Sequence, residues 1–374
     1  MSEIRYILDA RTATGHFPGI GRYVTNLARA MAPLLGPEER LILLRDPSSP
    51  SPWDLVSLVG ERARVVDVPY SPFSLRQQWA LPRLLARLRA DLYHSPYYLM
   101  PYRPGVPTVL TVHDLIPLLF PRQSTWQARL FFRWALRLAL RASRRVIAVS
   151  RATARDLQIH FHISPGQVSV IPEAPDPAFY PRPPTETEAV RRKYGLSDPF
   201  VLYVGSNKPH KNLTGLIEAW SCLGPHVSPF TLTIAGAWDP RYAEPRLLAE
   251  RLGLANIRWL GPVPEADLPA LYSAAALFVF PSLYEGFGLP VLEAMACGTP
   301  VVCSDTSSLP EVVGEAARRV DPTDEQSLAA AMADLLKDEA RREEMREKGW
   351  QQAARFSWGR TAALTLEVYR GVAA

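Results

Sequence analysis

The sequence predicts an α/β protein built from two open, parallel sheets in tandem, and three observations indicate it. Apolar segments of strand length alternate with amphipathic helical stretches almost from end to end, as in parallel sheets covered by helices. A proline-rich segment interrupts this alternation once, near the middle of the chain. The chain's 374 residues also exceed one ordinary core, which favours two domains of about 150–200 residues.

The first half contains seven strand-length segments and four helical stretches. The segments are residues 6–8, 41–44, 65–68, 92–94, 109–112, 146–149 and 168–171, and the helices are 23–35, 82–90, 126–144 and 152–160. The second half repeats the pattern with segments 200–204, 231–235, 257–260, 277–280, 300–303 and 318–320. Open sheets bind ligands beyond the carboxyl ends of their strands, so facing edges of two such domains would enclose one shared site.

The segment between the halves predicts a linker. Six of the thirteen residues from 172 to 184 are proline, and a charged stretch, 186–193, follows them. We therefore expect the first domain to end, and the second to begin, within this segment.

Composition excludes several classes of protein. A hydrophobic content of 47% and a charged content of 21% are close to the globular average, which excludes a disordered chain. No apolar run approaches the roughly 18–20 residues of a membrane span. Charged residues occupy the N-terminal positions where a secretory signal needs an apolar core, so we predict a cytoplasmic protein. Three cysteines without CxxC spacing indicate neither a disulfide framework nor a zinc site.

The net charge of +5 would suit an anionic partner such as a nucleotide, a nucleic acid or a phospholipid headgroup. Only five of the 42 basic residues are lysine, and the arginine bias is equally explained by genome composition or heat tolerance. The basic residues are scattered and no aromatic–basic RNA motif is present, so we do not expect a nucleic-acid partner.

Missing motifs narrow the chemistry further. Two glycine-rich turns, at residues 19–21 and 286–288, lack the third glycine of G-x-G-x-x-G, which disfavours a nicotinamide dehydrogenase. No Walker A sequence, G-x-S-x-G, H-E-x-x-H or Asp-x-Asp occurs. ATPases of the Walker type, serine hydrolases and metal-carboxylate enzymes are disfavoured together.

The most informative segment, residues 281–298, follows the predicted strand 277–280. Pro290 suits a first helical position and Gly298 a helix C-terminus, so a short helix should begin after a flexible Gly-x-Gly turn. Backbone N–H groups of such a turn can hold sugar hydroxyls or phosphate oxygens. Glu285 before the helix and Glu293 within it could bind different parts of one long ligand. Alternatively, Glu293 only complements the helix dipole and Glu285 is a solvated loop charge.

This E-x7-E segment resembles the donor site of the retaining GT-B glycosyltransferases of family 4. Residues 19–23, 111–115 and 203–212 also fall where that family has its motifs, and residues 356–370 resemble its terminal helix. The resemblance implies the GT-B fold, with two Rossmann-like doubly wound domains facing across a cleft. Residues 1–175 would form the acceptor-side domain, 176–356 the nucleotide-sugar domain, and helix 357–374 would cross back to the first.

The resemblance also implies transfer of a hexose from a nucleoside diphosphate sugar, with retention and without a metal or other cofactor. Glu293 would bind the ribose hydroxyls, and Lys211 would neutralise the diphosphate. Glu285 would hold the donor sugar's hydroxyls together with the turn Gly286, Phe287, Gly288 and Leu289. A cation placed where charge develops on the leaving group accelerates such a reaction. The alternative for Lys211 is a solvated loop lysine.

One part of the diphosphate site departs from the family. Many members place arginine after the glycine that corresponds to Gly205, where this chain has Ser206, and others place it just before the lysine, where this chain has His210. His210 could donate a hydrogen bond or carry partial charge, which would make the site pH-dependent near 6.5. Lys208 is another candidate for the second cation, and the choice stays open.

The resemblance assigns further residues. His113, at the carboxyl end of segment 109–112, would lie beside the reacting sugar, although a lone histidine is more often structural. Gly19 and Gly21 would form a loop that approaches the diphosphate, or else a plain βα turn. Backbone groups around Val263 would read the base. These features resemble the mannosyltransferase branch most, so GDP-mannose is the predicted donor and a UDP-sugar the second choice.

No family motif supplies a carboxylate nucleophile, so we expect a front-face mechanism rather than double displacement. A GT-B sugar phosphorylase or epimerase is the alternative activity. The predicted acceptor is a glycan, free or lipid-linked.

Four arginines repeat at four-residue spacing along the helix 126–144: Arg129, Arg133, Arg137 and Arg141. This face would permit peripheral contact with anionic lipid at the inner membrane face, or it is simply solvated.

Overall fold

The computed structural model describes residues 3–55 and 62–373, which form two compact units. Unit 1 comprises Met1–Glu173 and Ser357–Ala374, and unit 2 comprises Ala174–Phe356. The boundary expected between residues 175 and 176 lies two residues from this division. The C-terminal segment that starts at Ser357 belongs to the first unit.

Unit 1 is built on a parallel sheet with seven strands in its described part. They are β1 (Ile4–Asp9), β2 (Glu39–Arg45), β3 (Ala63–Asp67), β4 (Leu92–Ser95), β5 (Thr108–Val112), β6 (Arg145–Ala148) and β7 (Val168–Val170), in the order β3-β2-β1-β4-β5-β6-β7. The helices are α1 (Pro18–Met31), α2 (Gln77–Arg87), α3 (Ile116–Leu119), α4 (Trp126–Ala142) and α5 (Arg151–Phe161). The strand order reverses direction between β1 and β4, which is the usual ligand position in such sheets.

Unit 2 repeats this architecture with six described strands. They are β8 (Phe200–Val204), β9 (Thr231–Ala235), β10 (Ile257–Gly261), β11 (Leu277–Phe280), β12 (Val301–Ser304) and β13 (Arg318–Val320), in the order β10-β9-β8-β11-β12-β13. Its helices are α6 (Pro184–Tyr194), α7 (Leu213–Leu223), α8 (Glu244–Arg251), α9 (Leu268–Ala274), α10 (Leu289–Ala296), α11 (Leu309–Val313), α12 (Glu325–Lys337) and α13 (Glu339–Ala353). The order reverses between β8 and β11.

The predicted fold class is confirmed, and each of these strands overlaps a predicted segment. The strands are recognisable because helices cover both faces of a parallel sheet, so that all five residues of β5 and all four of β11 are buried. Helix boundaries were less accurate. α2 begins at Gln77 and contains Pro82, which was predicted to start it. The charged stretch after the proline-rich segment forms α6, which ends where Gly195 adopts φ +64°.

The last helix, α14 (Trp358–Ala373), belongs to unit 1 and forms hydrogen bonds with β2 and with the segment that follows β7. Arg370 donates to both carboxylate oxygens of Glu39, at 2.8 and 2.7 Å. Thr361 Oγ1 donates to the carbonyl oxygen of Pro172 at 2.8 Å. These bonds fix the C-terminal segment on the first sheet. None of the described helices has the length and apolarity that crossing a bilayer requires.

His94 on β4 is a fully buried histidine in the same network. Its Nδ1 lies 2.6 Å from the Tyr369 hydroxyl and its Nε2 lies 2.7 Å from Thr111 Oγ1. Burial, with a smaller contribution from nearby His113, lowers the pKa of His94 to about 3. The imidazole is therefore neutral at pH 7 and must gain a proton when the chain unfolds in mild acid.

We expect this histidine to destabilise the fold in acid. Between its unfolded pKa of about 6.5 and its folded pKa of about 3, the unfolded chain binds one more proton. Stability therefore falls as the pH falls through that window, by up to roughly 1.4 kcal/mol per pH unit. His94→Gln keeps polar atoms for both neighbours, and urea denaturation at pH 7 and pH 5 should show a shallower pH dependence in the variant.

The matched control is His162→Asn, which removes an exposed histidine whose left-handed backbone (φ +55°) asparagine tolerates. This variant should keep the pH dependence of the wild type. If His94→Gln also keeps it, His94 is not the buried neutral group described above.

Candidate active site

The carboxyl ends of β8 and β11 bring Lys211 and Glu285 together. These strands are paired in parallel, so the loops that follow them leave the same edge of the sheet. Lys211 Nζ lies 2.7 Å from Glu285 Oε1 and 3.0 Å from Oε2, although the residues are 74 positions apart. The backbone N–H of Leu283 donates to the His210 carbonyl at 2.7 Å and joins the two loops.

This ion pair is partly shielded from water. The side chains of Lys211 and Glu285 are only 17% and 9% exposed, and the Phe280 ring centroid lies 5.1 Å from Nζ. Tyr203, on β8, is fully buried, and burial together with the charge of Glu285 raises the pKa of its hydroxyl well above the usual value. A low-dielectric setting of this kind strengthens the interaction of each charge with a ligand.

The turn after Glu285 is fixed by two serines. The Glu285 N–H donates to Ser307 Oγ at 3.0 Å. Ser308 Oγ lies 3.0 Å from the Glu285 carbonyl oxygen and 2.7 Å from that of Phe287. Gly288 precedes α10 with φ +114°, and a Cβ there would lie 2.7 Å from Leu309 Cδ2. Glycine is therefore required at this position by both its conformation and its surroundings.

α10 carries Glu293 as the sequence predicts. Pro290 lies in the first turn, Gly298 follows the helix with φ +76°, and the carboxylate of Glu293 is 3% exposed. The Tyr272 hydroxyl donates to Glu293 Oε2 at 3.2 Å. Because it is buried and bonded by a tyrosine, Glu293 is not a solvated surface charge. Its ribose-binding role stays a prediction.

The remaining predicted residues of unit 2 surround the same strand ends. Gly205 and Ser206 directly follow β8, and the Tyr203 hydroxyl donates to the Ser206 carbonyl at 2.8 Å. A Cβ on Gly205 would lie 2.9 Å from that hydroxyl. Val263 follows β10, two strands away in the sheet order. Their contacts with a nucleotide stay predictions.

Of the two roles considered for His210, the structure contradicts the partial charge, and hydrogen-bond donation stays a prediction. Its side chain is 4% exposed, and burial, with the nearby charges of Lys211 and Lys208, lowers its pKa to about 3. His210 is therefore neutral at pH 7 and does not make the site titrate near 6.5. Lys208, which is exposed, remains a candidate for the second cation.

In unit 1, His113 directly follows β5 at its carboxyl end. Its Nδ1 lies 2.9 Å from Glu173 Oε1, and its ring contacts the Tyr23 ring edge-on at 4.9 Å. Its Nε2 is buried, with no hydrogen-bond partner among the described residues. Sequence reasoning missed Glu173. Its only signal was an acidic residue at the start of the proline-rich segment, which was interpreted as linker.

The predicted glycine loop is helical. Gly19 and Gly21 lie in the first turns of α1, because Pro18 already starts the helix. A Cβ on Gly21 would come within 2.1 Å of the Trp53 ring, whereas none of the described atoms lies within 4 Å of a Cβ on Gly19. Gly21 therefore makes room for an indole, and Gly19 leaves its side of the helix open.

Unit 1 also contains an open cavity of about 710 Å³ beside α1. The loops that follow β1, β2 and β3 line it. Phe17 and Phe73 form a stacked pair at 5.8 Å, and Ser49, Ser51 and His16 supply polar groups. Aromatic faces with scattered hydrogen-bonding groups suit a saccharide or another ligand of mixed polarity.

In the described part of the chain, no group of three His, Cys, Asp or Glu residues could hold a metal ion.

Comparison with known proteins identifies the family. The model "Glycosyltransferase Family 4" matches residues 18–179, and "Glycosyl transferases group 1" matches residues 186–352. The O-antigen chain mannosyltransferase B of Escherichia coli is 34% identical over 299 residues, which cover 79% of this chain and 77% of that protein. The chain belongs to the family 4 glycosyltransferases.

One further relative and one solved structure are similar to this chain. The D-inositol 3-phosphate glycosyltransferase of Corynebacterium glutamicum is 31% identical over 356 residues, 86% of this chain and 84% of that one. A crystal structure of Anabaena HepE in complex with UDP and glucose superimposes with a TM-score of 0.77 at 20% identity, covering 99% of this chain and all of that one. The fold is therefore GT-B, and the protein is a glycosyltransferase.

The Lys211–Glu285 pair of this glycosyltransferase can be measured by a double-mutant cycle. Lys211→Met and Glu285→Gln should each destabilise unit 2, and their effects should be non-additive by about 1–3 kcal/mol because the charges are in contact and shielded. Urea denaturation at pH 7 of the wild type, both single variants and the double variant gives this coupling energy.

The same cycle on Arg192 and Glu188, whose side chains are 74% and 67% exposed, is the control and should give less than about 0.5 kcal/mol. Additive effects at Lys211 and Glu285 would contradict the shielded contact.

Proposed function

We propose that this glycosyltransferase moves mannose from GDP-mannose to a glycan or lipid-linked acceptor, with retention and without a metal. The observation that carries the proposal is the contact between Lys211 and Glu285 at the point where the strand order of unit 2 reverses. In this proposal Lys211 is the cation for the diphosphate and Glu285 is the carboxylate for the sugar hydroxyls. Both lie next to the turn that leads to Glu293.

The ion pair suggests how the donor is received. Both oxygens of Glu285 accept hydrogen bonds from Lys211. We propose that the ammonium group turns to the diphosphate when the donor binds, and that the freed carboxylate oxygens accept hydrogen bonds from sugar hydroxyls. Lys211 then stabilises the charge that develops on the leaving nucleoside diphosphate.

Retention follows from a front-face substitution in this proposal. The bond from the anomeric carbon to the phosphate oxygen breaks, a bond to the acceptor oxygen forms on the same face, and the acceptor's proton passes to the phosphate oxygen. GDP leaves with that proton. In this proposal Glu285 accepts hydrogen bonds from sugar hydroxyls, so it is not the nucleophile that the alternative double displacement needs.

The mannosyltransferase relative supports mannose, and its identity to this chain extends over most of both proteins. The second candidate donor is a UDP-sugar, which the UDP- and glucose-bound HepE structure favours. In this proposal, backbone groups around Val263 bind the base. Side chains there therefore discriminate little between the bases of the candidate donors.

The donor proposal is tested by thermal shift followed by turnover. GDP-mannose and GDP should raise the melting temperature more than UDP-glucose or ADP-glucose, and release of GDP should require an acceptor.

Lys211→Ala should lower kcat by roughly 10²–10³-fold, since it removes the charge opposite the leaving group. Glu293→Ala should instead weaken binding of the nucleotide. NMR of the product should show a retained anomeric configuration, and EDTA should leave the rate unchanged.

Lys348→Ala is the matched control, because Lys348 is a half-exposed lysine on α13 that pairs with Glu344. A larger shift with UDP-glucose would transfer the proposal to the second donor. An inverted product would exclude the front-face route, and full activity of Lys211→Ala would exclude the assignment of this site.

We assign the acceptor to unit 1, and the cavity beside α1 supports this. A glycan can stack its apolar C–H faces on Phe17 and Phe73 while its hydroxyls bond to the serines and to His16. Phe73 is 55% exposed, so part of this aromatic surface is open to a ligand.

We also propose that unit 1 contacts an anionic lipid surface through α4. The arginine face that the sequence predicts carries large apolar side chains as well. Trp126, Leu130, Phe131 and Trp134 are between 50% and 63% exposed, and Arg133, Arg137 and Arg141 are exposed on the same side of the helix. α4 contains no acidic residue. Trp and Leu beside arginines suit the boundary between acyl chains and phosphate headgroups.

A second segment extends this surface. Leu75 and Trp79 are 78% and 53% exposed, and Gln78 next to them accepts from the Tyr102 N–H at 3.0 Å. Tyr102 in turn contacts Trp134 of α4, with ring centroids 6.1 Å apart. An arginine face that contacts only water would not need exposed aromatic side chains beside it. These side chains therefore support lipid contact over a face that is simply solvated.

Sedimentation with liposomes tests the lipid contact. The protein should bind vesicles with 30% phosphatidylglycerol more tightly than pure phosphatidylcholine vesicles, and salt should weaken binding. Changing Arg133, Arg137 and Arg141 to Gln should lower the partition coefficient on the order of 100-fold, at about 1 kcal/mol per arginine. Leu130→Ser with Trp134→Ser should weaken binding to a similar extent.

The control changes three exposed arginines elsewhere, Arg155, Arg192 and Arg251, to Gln, which alters the net charge equally. If this variant loses binding as strongly, the effect is one of net charge and α4 is not the docking surface. Binding that is absent at low salt would reject the lipid contact altogether.

A further inference from the structure

The orientation of His113 is fixed by a carboxylate that comes from a distant part of the chain. Glu173 lies 60 positions away and is 5% exposed, and its Oε1 is 2.9 Å from His113 Nδ1. The residue before it, Pro172, has its carbonyl oxygen bonded by Thr361 of α14 at 2.8 Å. The carboxylate is therefore carried by a backbone that is itself held in place.

The protein holds the imidazole from other sides as well. The Tyr23 ring packs edge-on against it, and the Tyr23 hydroxyl lies 3.0 Å from Thr111 Oγ1 on β5. The Thr153 hydroxyl donates to the His113 carbonyl at 3.3 Å. These contacts leave the ring one orientation, with Nδ1 towards the carboxylate and Nε2 on its opposite side.

The contact with Glu173 decides which nitrogen carries the proton. An ionised carboxylate only accepts hydrogen bonds, so His113 Nδ1 must be the donor. In the neutral ring Nε2 then carries a lone pair, and within residues 3–55 and 62–373 this buried atom has no hydrogen-bond partner. A buried polar atom without a partner costs free energy, which a ligand hydroxyl would recover.

We propose that Glu173 is a positioning residue that presents the Nε2 lone pair of His113 to a hydroxyl group of the bound saccharide. The inference rests on the proposed glycosyl transfer and deepens it, because it makes His113 a hydrogen-bond acceptor in the reaction. A substrate that lacks this hydroxyl leaves Nε2 unpaired and is discriminated against.

The arrangement of protons can be measured without any substrate. The chain has seven histidines, and the ¹⁵N signals of His113 are identified as those missing from His113→Gln. In the wild type at pH 8, two-bond ¹⁵N–¹H spectra should show a protonated Nδ1 and an unprotonated Nε2. Glu173→Ala should lose this pure tautomer and show protons on both nitrogens in exchange.

Kinetics then separate positioning from folding. Glu173→Ala should lower kcat roughly 10- to 100-fold with a smaller change in KM, the size of loss that follows removal of a carboxylate behind a functional histidine. Glu173→Gln keeps an oxygen that accepts from Nδ1, so it should restore most of kcat and the wild-type tautomer. Glu39→Gln is the control, since this buried carboxylate pairs with Arg370 and should affect stability but not kcat.

Each outcome bears on one claim. A wild-type spectrum with a protonated Nε2 overturns the inference, and so does a Glu173→Ala variant that is folded and fully active. If no donor is turned over by the wild type while the tautomer and its dependence on Glu173 are as described, the proposed transfer fails and the histidine geometry stands.

Discussion

The parallel pairing of β8 with β11 is the constraint on which the proposed donor site depends. The two strands are separated by more than seventy residues in the chain, yet their carboxyl ends are neighbours because the sheet order reverses between them. The loop after one strand carries Lys211 and the loop after the other carries Glu285. If the strands of this sheet lay side by side in chain order, β9 and β10 would separate Lys211 from Glu285.

The shielded ion pair has a consequence for binding. A lysine kept away from water without a partner would tend to lose its proton, and an unpaired carboxylate would tend to gain one. By pairing, Lys211 and Glu285 each offset the cost of shielding the other's charge from water. Since a buried pair adds little net stability over apolar residues, the proposed role of both groups in donor binding explains the pair better than the fold does.

The strands and the E-x7-E turn could be predicted because each is a local pattern: apolar runs, a proline at the start of α10, and glycines with positive φ. Errors arose where a distant contact decides the structure. Gly21 suggested a loop, but it lies in a helix and accommodates Trp53. His210 suggested a titrating group, but packing buries it and removes its charge near neutral pH. Neither Trp53 nor this burial is visible in a window of sequence.

The same reasoning explains why the motifs indicated His113, Lys211 and Glu285 but neither Glu173 nor the contact between Lys211 and Glu285. Glu173 reaches His113 from 60 positions away, and Glu285 reaches Lys211 from 74. In both units a carboxylate contacts the nitrogen of a group that is proposed to meet the substrate. Glu173 lies 2.9 Å from Nδ1 of His113 in unit 1, and Glu285 lies 2.7 Å from Nζ of Lys211 in unit 2. The chemistry of each group is therefore set by tertiary structure, although its identity is set by a short motif.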